Sequence, residues 1–326
     1  MMVNNERMDQ RSYALALKSV PGIGNRSAVT VLTAFPTPQS LLEASSHQVE
    51  SLGKRISQAL SAVSKDGFAW LLEKARKDVE DHLNAGFAVL SLFDRDYPPL
   101  LRLIPDAPVI VFVKGSLQAL NSDLSIAIVG TRSPTAGGLE QAYSLAVQAA
   151  NAGITVVSGL ALGIDTAAHK GAVDNGGKTV AVFGTAINKV YPAQNRSLAQ
   201  RIVETGGALV SEYGMDEQTQ RLSFVHRDRI QSALSLAVVA VQTDIAGGTM
   251  HTVRFAQQQD RLIMCPIPHP EESNAWQTAG VRRLLDDGSA HAIDNLDEEL
   301  INKLREHRER LLHSSNGQRP QPPLPL

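Results

Sequence analysis

The chain has 326 residues, 43% hydrophobic but only 5% aromatic, so two or three domains with aliphatic, alanine-rich cores are expected. Its formal net charge of −2 argues against a uniformly basic nucleic-acid coat and leaves room only for a local basic groove. A single cysteine, Cys265, excludes an intrachain disulfide. No apolar run approaches the roughly 20 residues that span a bilayer, and the polar start MMVNNERMDQRS lacks an apolar leader core, so a cytoplasmic protein with no membrane association is expected.

Residues 1–65 read as a small helical domain centred on Val20-Pro21-Gly22-Ile23-Gly24-Asn25-Arg26. A Pro-Gly-Ile-Gly turn between apolar-periodic segments resembles a helix-hairpin-helix (SAM-like) unit, whose backbone amides can face a phosphate; a compact turn is the plainer alternative. Residues 66–120 form a connection. Within it, Trp70, Leu71, Ala75 and Val79 recur at helical spacing, and extended runs follow at Ala88–Leu92 and Val109–Gly115.

Residues 121–295 alternate strands and helices. Strands are predicted at Ser125–Val129, Ile154–Ser158, Thr179–Phe183, Ala208–Glu212, Leu236–Gln242 and Leu262–Pro266, with helices near 136–151, 164–174, 194–204, 226–234 and 250–259. Near-continuous apolar strands with helical crossovers predict an α/β fold: an extended Rossmann-like, doubly wound, mostly parallel sheet. Residues 296–326 read as a charged helical stretch followed by a disordered proline-rich tail.

Ligands bind such sheets beyond the carboxyl ends of the strands, so the loops there hold the candidates. Gly130, Thr131 and Arg132 form a glycine turn into a helix, a ready anion site with a cation able to fork onto phosphate. It is not G-x-G-x-x-G and no acidic residue ends the second strand, so NAD is disfavoured and no cofactor is expected. Gly159 and Gly163 bring a second loop close to a ligand, and Asp165 and His169, four apart on one helix face, hold that loop. Lys189 follows the third strand. Arg221, Phe224, Arg227 and Arg229 combine cations for phosphates with a ring for a base. Gly247, Gly248 and Thr249 start another helix where an oxyanion can sit. No metal cluster or nucleophile constellation stands out, so no catalytic residue is assigned.

Several blocks then match one family in order: Tyr97-Pro98-Pro99, Val129-Gly130-Thr131-Arg132, Ser158-Gly159-Leu160-Ala161 with Gly163-Ile164-Asp165 and His169, Val190-Tyr191-Pro192 with Asn195, Ser211-Glu212-Tyr213, and Phe224 with Arg227 and Arg229. Over roughly residues 15–270 the chain resembles the DNA-processing (DprA/Smf) family, without its usual C-terminal winged helix. The resemblance implies single-stranded DNA as ligand, phosphate contacts at Gly130 and Arg132, base stacking on Phe224 with Arg221 beside it, a homodimer through the Rossmann-like domain, and a RecA-type recombinase as partner in recombination or natural transformation. A nucleotide-binding sensor or defence-locus protein is the alternative. A Lonely Guy-type phosphoribohydrolase is a third, but the glutamate that family carries after its glycine loop is absent here. Asp228 stands where the family usually has asparagine; it would repel a phosphate, or else orient an arginine.

Overall fold

The computed structural model describes residues 2–314, with side chains from Asp9 onward. The proline-rich tail from residue 315 lies outside the described residues. The described residues divide into two compact units, one of residues 2–97 and 102–112, the other of residues 98–101 and 113–314.

In the first unit, helix Met2–Lys18 and helix Asn25–Ala34 are joined by the turn at Gly22, whose φ of +88° suits glycine. Tyr13 is buried edge-on against Phe68, and Arg11 pairs with Asp94 at 2.8 Å. Helix Lys65–Asn84 buries Phe68, Leu72, Ala75, Val79 and His82. The apolar stripe expected to include Trp70 and Leu71 therefore runs differently. Trp70 is 62% exposed, with the Lys74 ammonium 5.4 Å above its ring, because Phe68, Leu72, Ala75 and Val79 satisfy the 3.6-residue repeat better. Strand β1 is Ala88–Ser91; β2, Ile110–Gly115, begins in this unit. Tyr97 is buried in a turn and donates to the Pro108 carbonyl at 2.7 Å.

The second unit is the Rossmann-like body. Its further strands are β3 (Ser125–Val129), β4 (Thr155–Ser158), β5 (Thr179–Phe183), β6 (Ala208–Ser211), β7 (Ala237–Ala240), β8 (Leu262–Pro266) and β9 (His291–Ile293). Their order is β6-β5-β4-β3-β7-β8-β9, every pairing parallel. β3 to β7 are buried along their whole length, as a sheet covered on both faces requires. Strand β9 is unanticipated by the pattern: it has three residues, two of them exposed, too few to show a period. Winding runs outward from β3 to β6, then returns to place β7 on the other side of β3, which makes a topological switch point there.

One boundary moves with consequence. The helix expected at 226–234 spans Arg221–Ala233. The Gln220 backbone N–H donates to Ser223 Oγ at 3.0 Å at its start, and glutamine is an uncommon N-cap residue that gives little signal in sequence. Arg221 and Phe224 thus lie on the helix rather than before it.

Candidate nucleic-acid interface

A cleft of about 690 Å³ opens at the switch point, between the loops after β3, β4, β5 and β7 and the helix Arg221–Ala233. Helical geometry explains the wall facing it: Arg221, Phe224, Asp228 and Gln231 succeed one another by three or four residues and all line the cleft. Phe224 lies against Gly184, where a Cβ would come within 2.8 Å of the ring, and beside Tyr191 at a centroid distance of 5.4 Å. Tyr191 and Trp276 are 52% and 55% exposed and both line the cleft, so three aromatic rings are presented to it. Arg132 and Arg221 are exposed on its edge and make no ion pair among the described residues.

The expected cations separate. Arg227 is buried: its Nη1 donates to the Val182 carbonyl at 3.0 Å, and its Nε lies 3.3 Å from Asp228 Oδ1. Arg229 does not line the cleft at all. It is buried in a 2.6 Å ion pair with Glu212, because the helix turns it toward the end of β6. Lys189 is exposed on the loop after β5 and also lies outside the cleft lining. Of four expected contacts on this helix, Arg221 and Phe224 present themselves to a ligand, Arg227 stiffens the wall, and Arg229 serves the fold.

The glycines separate similarly. A Cβ on Gly130 would strike Ile164 at 2.5 Å, one on Gly163 the Thr131 carbonyl at 2.5 Å, and one on Gly159 the guanidinium of Arg227 at 1.4 Å. These residues let parts of the chain approach one another, though Gly130 and Thr131 still line the cleft. The anion position on the helix Ala136–Asn151 that follows Arg132 is filled by the chain's own carboxylate. Glu272 accepts from Gly137 N at 3.0 Å and from Thr135 Oγ1 at 2.6 Å. The open anion position is on helix Thr249–Gln258. Gly248 has nothing within 4 Å of a Cβ, the helix has no side-chain cap, and the amides of Gly248 and Thr249 have no acceptor among the described residues.

Asp165 holds its loop as expected, accepting from Gly159 N at 3.1 Å and Ala161 N at 3.3 Å. His169 instead reaches β5, with Nδ1 2.7 Å from Thr179 Oγ1. Burial, reinforced by Arg227, pushes the His169 pKa down to about 3. Burial raises the pKa values of Asp165 and Asp228, with Arg227 opposing the rise in both. Cys265 is fully buried and its thiol is pushed up to about 12, as an inert core thiol would be.

Tyr191 and Trp276 were not read as site residues. Tyr191 carried a signal within its Val190-Tyr191-Pro192 block; Trp276, a lone aromatic in a polar stretch without periodicity, carried none.

The cleft at the switch point of this Rossmann-like sheet thus gathers aromatic rings, an uncapped helix start and two arginines that make no ion pair among the described residues. Residues 88–305 match the family model described as DNA recombination-mediator protein A, and the chain belongs to that family. Among curated relatives, the Smf protein of Escherichia coli is 38% identical over 184 residues, 55% of this chain and 49% of that protein. The DNA processing protein DprA of Streptococcus pneumoniae is 37% identical over 177 residues, 54% of this chain and 62% of that protein. The chain thus spans about half to three fifths of the length of these relatives. The solved structure of the Streptococcus pneumoniae protein aligns over 87% of this chain and 93% of its own at 26% identity and a TM-score of 0.66. DNA processing protein A from Helicobacter pylori, whose structure concerns its single-stranded DNA binding mode, aligns over 68% of this chain and 96% of its own at 27% identity and a TM-score of 0.58. Among the described residues, no helix is long and apolar enough to cross a membrane.

Proposed function

We propose that the chain binds single-stranded DNA in the switch-point cleft and acts in the cytoplasm in DNA processing and recombination, as a binding protein rather than an enzyme. The observation that carries this is the meeting, in one cleft, of stacking rings (Phe224, Tyr191, Trp276) with the open amides of Gly248 and Thr249 and the unpaired Arg132 and Arg221. Bases stack on the rings without regard to sequence, and phosphates take the amides and arginines. Duplex DNA, whose bases are paired and stacked, offers no free face to the rings. The single-stranded DNA binding mode of the Helicobacter pylori relative supports the same reading. A homodimer through the Rossmann-like unit, delivery of strands to a RecA-type recombinase, and phosphate contact at the Gly22–Gly24 hairpin extend the proposal on family resemblance.

Fluorescence anisotropy with a labelled oligothymidylate tests it. Two to three phosphates held by Arg132, Arg221 and the helix start predict a log–log salt slope of about −1.4 to −2. The oligonucleotide should bind more tightly than the matching duplex and than thymidine monophosphate. A salt-independent affinity, a duplex preference, or equal binding of the mononucleotide overturns the proposal.

A further inference from the structure

A carboxylate in the wall of a cleft that takes a polyanion is unfavourable unless the ligand brings donors to it. Asp228 is such a carboxylate. It stands one helical turn beyond Phe224 on the face that lines the cleft. Both of its contacts fall on one oxygen: Oδ1 lies 3.3 Å from Arg227 Nε and accepts from Gln231 Nε2 at 3.0 Å. Oδ2 has no partner among the described residues. The next cleft-lining residue, Gln231, is 2% exposed, and its Oε1 is a buried acceptor with no donor. Its amide orientation is set by the bond to Asp228, since the opposite one would put two oxygens 3.0 Å apart. Arg227 is itself held by the Val182 carbonyl at 3.0 Å. The wall beside the stacking ring therefore presents one carboxylate oxygen, Asp228 Oδ2, without a donor among the described residues, with Gln231 Oε1 buried behind it.

We propose that this wall reads one base of the bound strand through its hydrogen-bond donors, with Asp228 as the specificity-determining residue and guanine as the favoured base. A base lying on Phe224 turns its edge along the helix toward Asp228. Guanine is the natural base that presents two adjacent donors on that edge, N1–H and the 2-amino group, and a carboxylate matches them in pairs. Thymine offers one donor flanked by carbonyl oxygens, which the carboxylate repels. Adenine and cytosine offer one exocyclic amine each. The inference rests on the strand-binding reading above and adds a base preference to it.

The test varies the ligand before the protein. Short oligothymidylates carrying a single guanine, hypoxanthine, adenine, cytosine or thymine at the centre are titrated in turn. Hypoxanthine keeps N1–H and lacks the 2-amino group. The guanine strand should bind roughly tenfold more tightly than the hypoxanthine or thymine strand, a factor within the range of one bidentate base contact. In Asp228→Asn, which keeps the shape and removes the charge, the five strands should converge to within about twofold, again by loss of that contact. Equal affinity for guanine and hypoxanthine strands, or a guanine preference that survives Asp228→Asn, overturns the base-reading role while leaving strand binding intact. Failure of every strand to bind overturns both.

Discussion

Gly159→Ala tests whether Arg227 is built into the wall or is a mobile phosphate contact. The added Cβ would lie 1.4 Å from Arg227 Nη1 and 2.3 Å from its Cζ. Non-bonded contacts settle near 3.5 Å, so the guanidinium must retreat by about 2 Å. That movement breaks its 3.0 Å bond to the Val182 carbonyl and its approach to Asp228. Overpacking costs about 1–3 kcal/mol and a lost charged hydrogen bond about 1.5–3 kcal/mol, giving an expected destabilisation of about 3–5 kcal/mol. Gly248→Ala is the control. Its Cβ meets nothing within 4 Å and its φ of −57° suits alanine, so it should shift stability by no more than about 1 kcal/mol. Urea denaturation of the two variants gives the comparison, and anisotropy adds that Gly159→Ala weakens strand binding by disturbing the wall beside Phe224. Equal stability of the two variants would refute the reasoning, because Arg227 would then be free to move.

Phe224→Ala should weaken oligothymidylate binding by about 1–3 kcal/mol and leave the salt slope unchanged, whereas Arg132→Ala and Arg221→Ala should each flatten it by about 0.7 in an anisotropy titration; parental behaviour in all three folded variants would misplace the cleft. Arg229→Ala should cost about 3–5 kcal/mol in urea denaturation by removing the 2.6 Å ion-pair partner of the buried Glu212, with the double change Arg229→Met, Glu212→Leu recovering most of it; a stable Arg229→Ala variant with a reduced salt slope would return this residue to the DNA contacts. His169, held near pKa 3 by burial against about 6.5 when unfolded, contributes stability that is complete above pH 6.5 and falls as pH drops toward 3, about 2 kcal/mol being lost by pH 5. His169→Gln should remove that part of the acid loss, and an unchanged pH profile of denaturation midpoints would contradict it. Incubation with adenosine monophosphate should release no adenine, since Thr249-Met250-His251-Thr252-Val253 supplies no glutamate to the cleft; release above a Thr249→Ala control would make the chain a hydrolase.

The parallel body was legible because its determinants are local. Buried strands such as Ser125–Val129 and Thr179–Phe183 are apolar after their first residue, and the helices between them repeat at 3.6, so sheet type and the position of the cleft follow from composition and period. Arg132, Arg221, Phe224 and Thr249 could be named because they stand on loops or helices at the carboxyl ends of those strands. What each neighbouring charge does could not be read the same way. Arg221, Arg227 and Arg229 lie within nine residues of sequence, yet one faces the cleft, one bonds the Val182 carbonyl and one pairs with Glu212. A helix advances about 100° per residue, so adjacent side chains point at different neighbours, and those neighbours come from strands tens of residues away. The same holds for the glycine turn at Gly130, whose helix start is open in sequence and occupied in space by Glu272, 135 residues on from Gly137. Sequence by itself determined the kind of sheet, the end of it where the cleft opens and the residue types available there. Only the tertiary structure decided which charges remain unpaired, because pairing depends on contacts between elements that are distant along the chain.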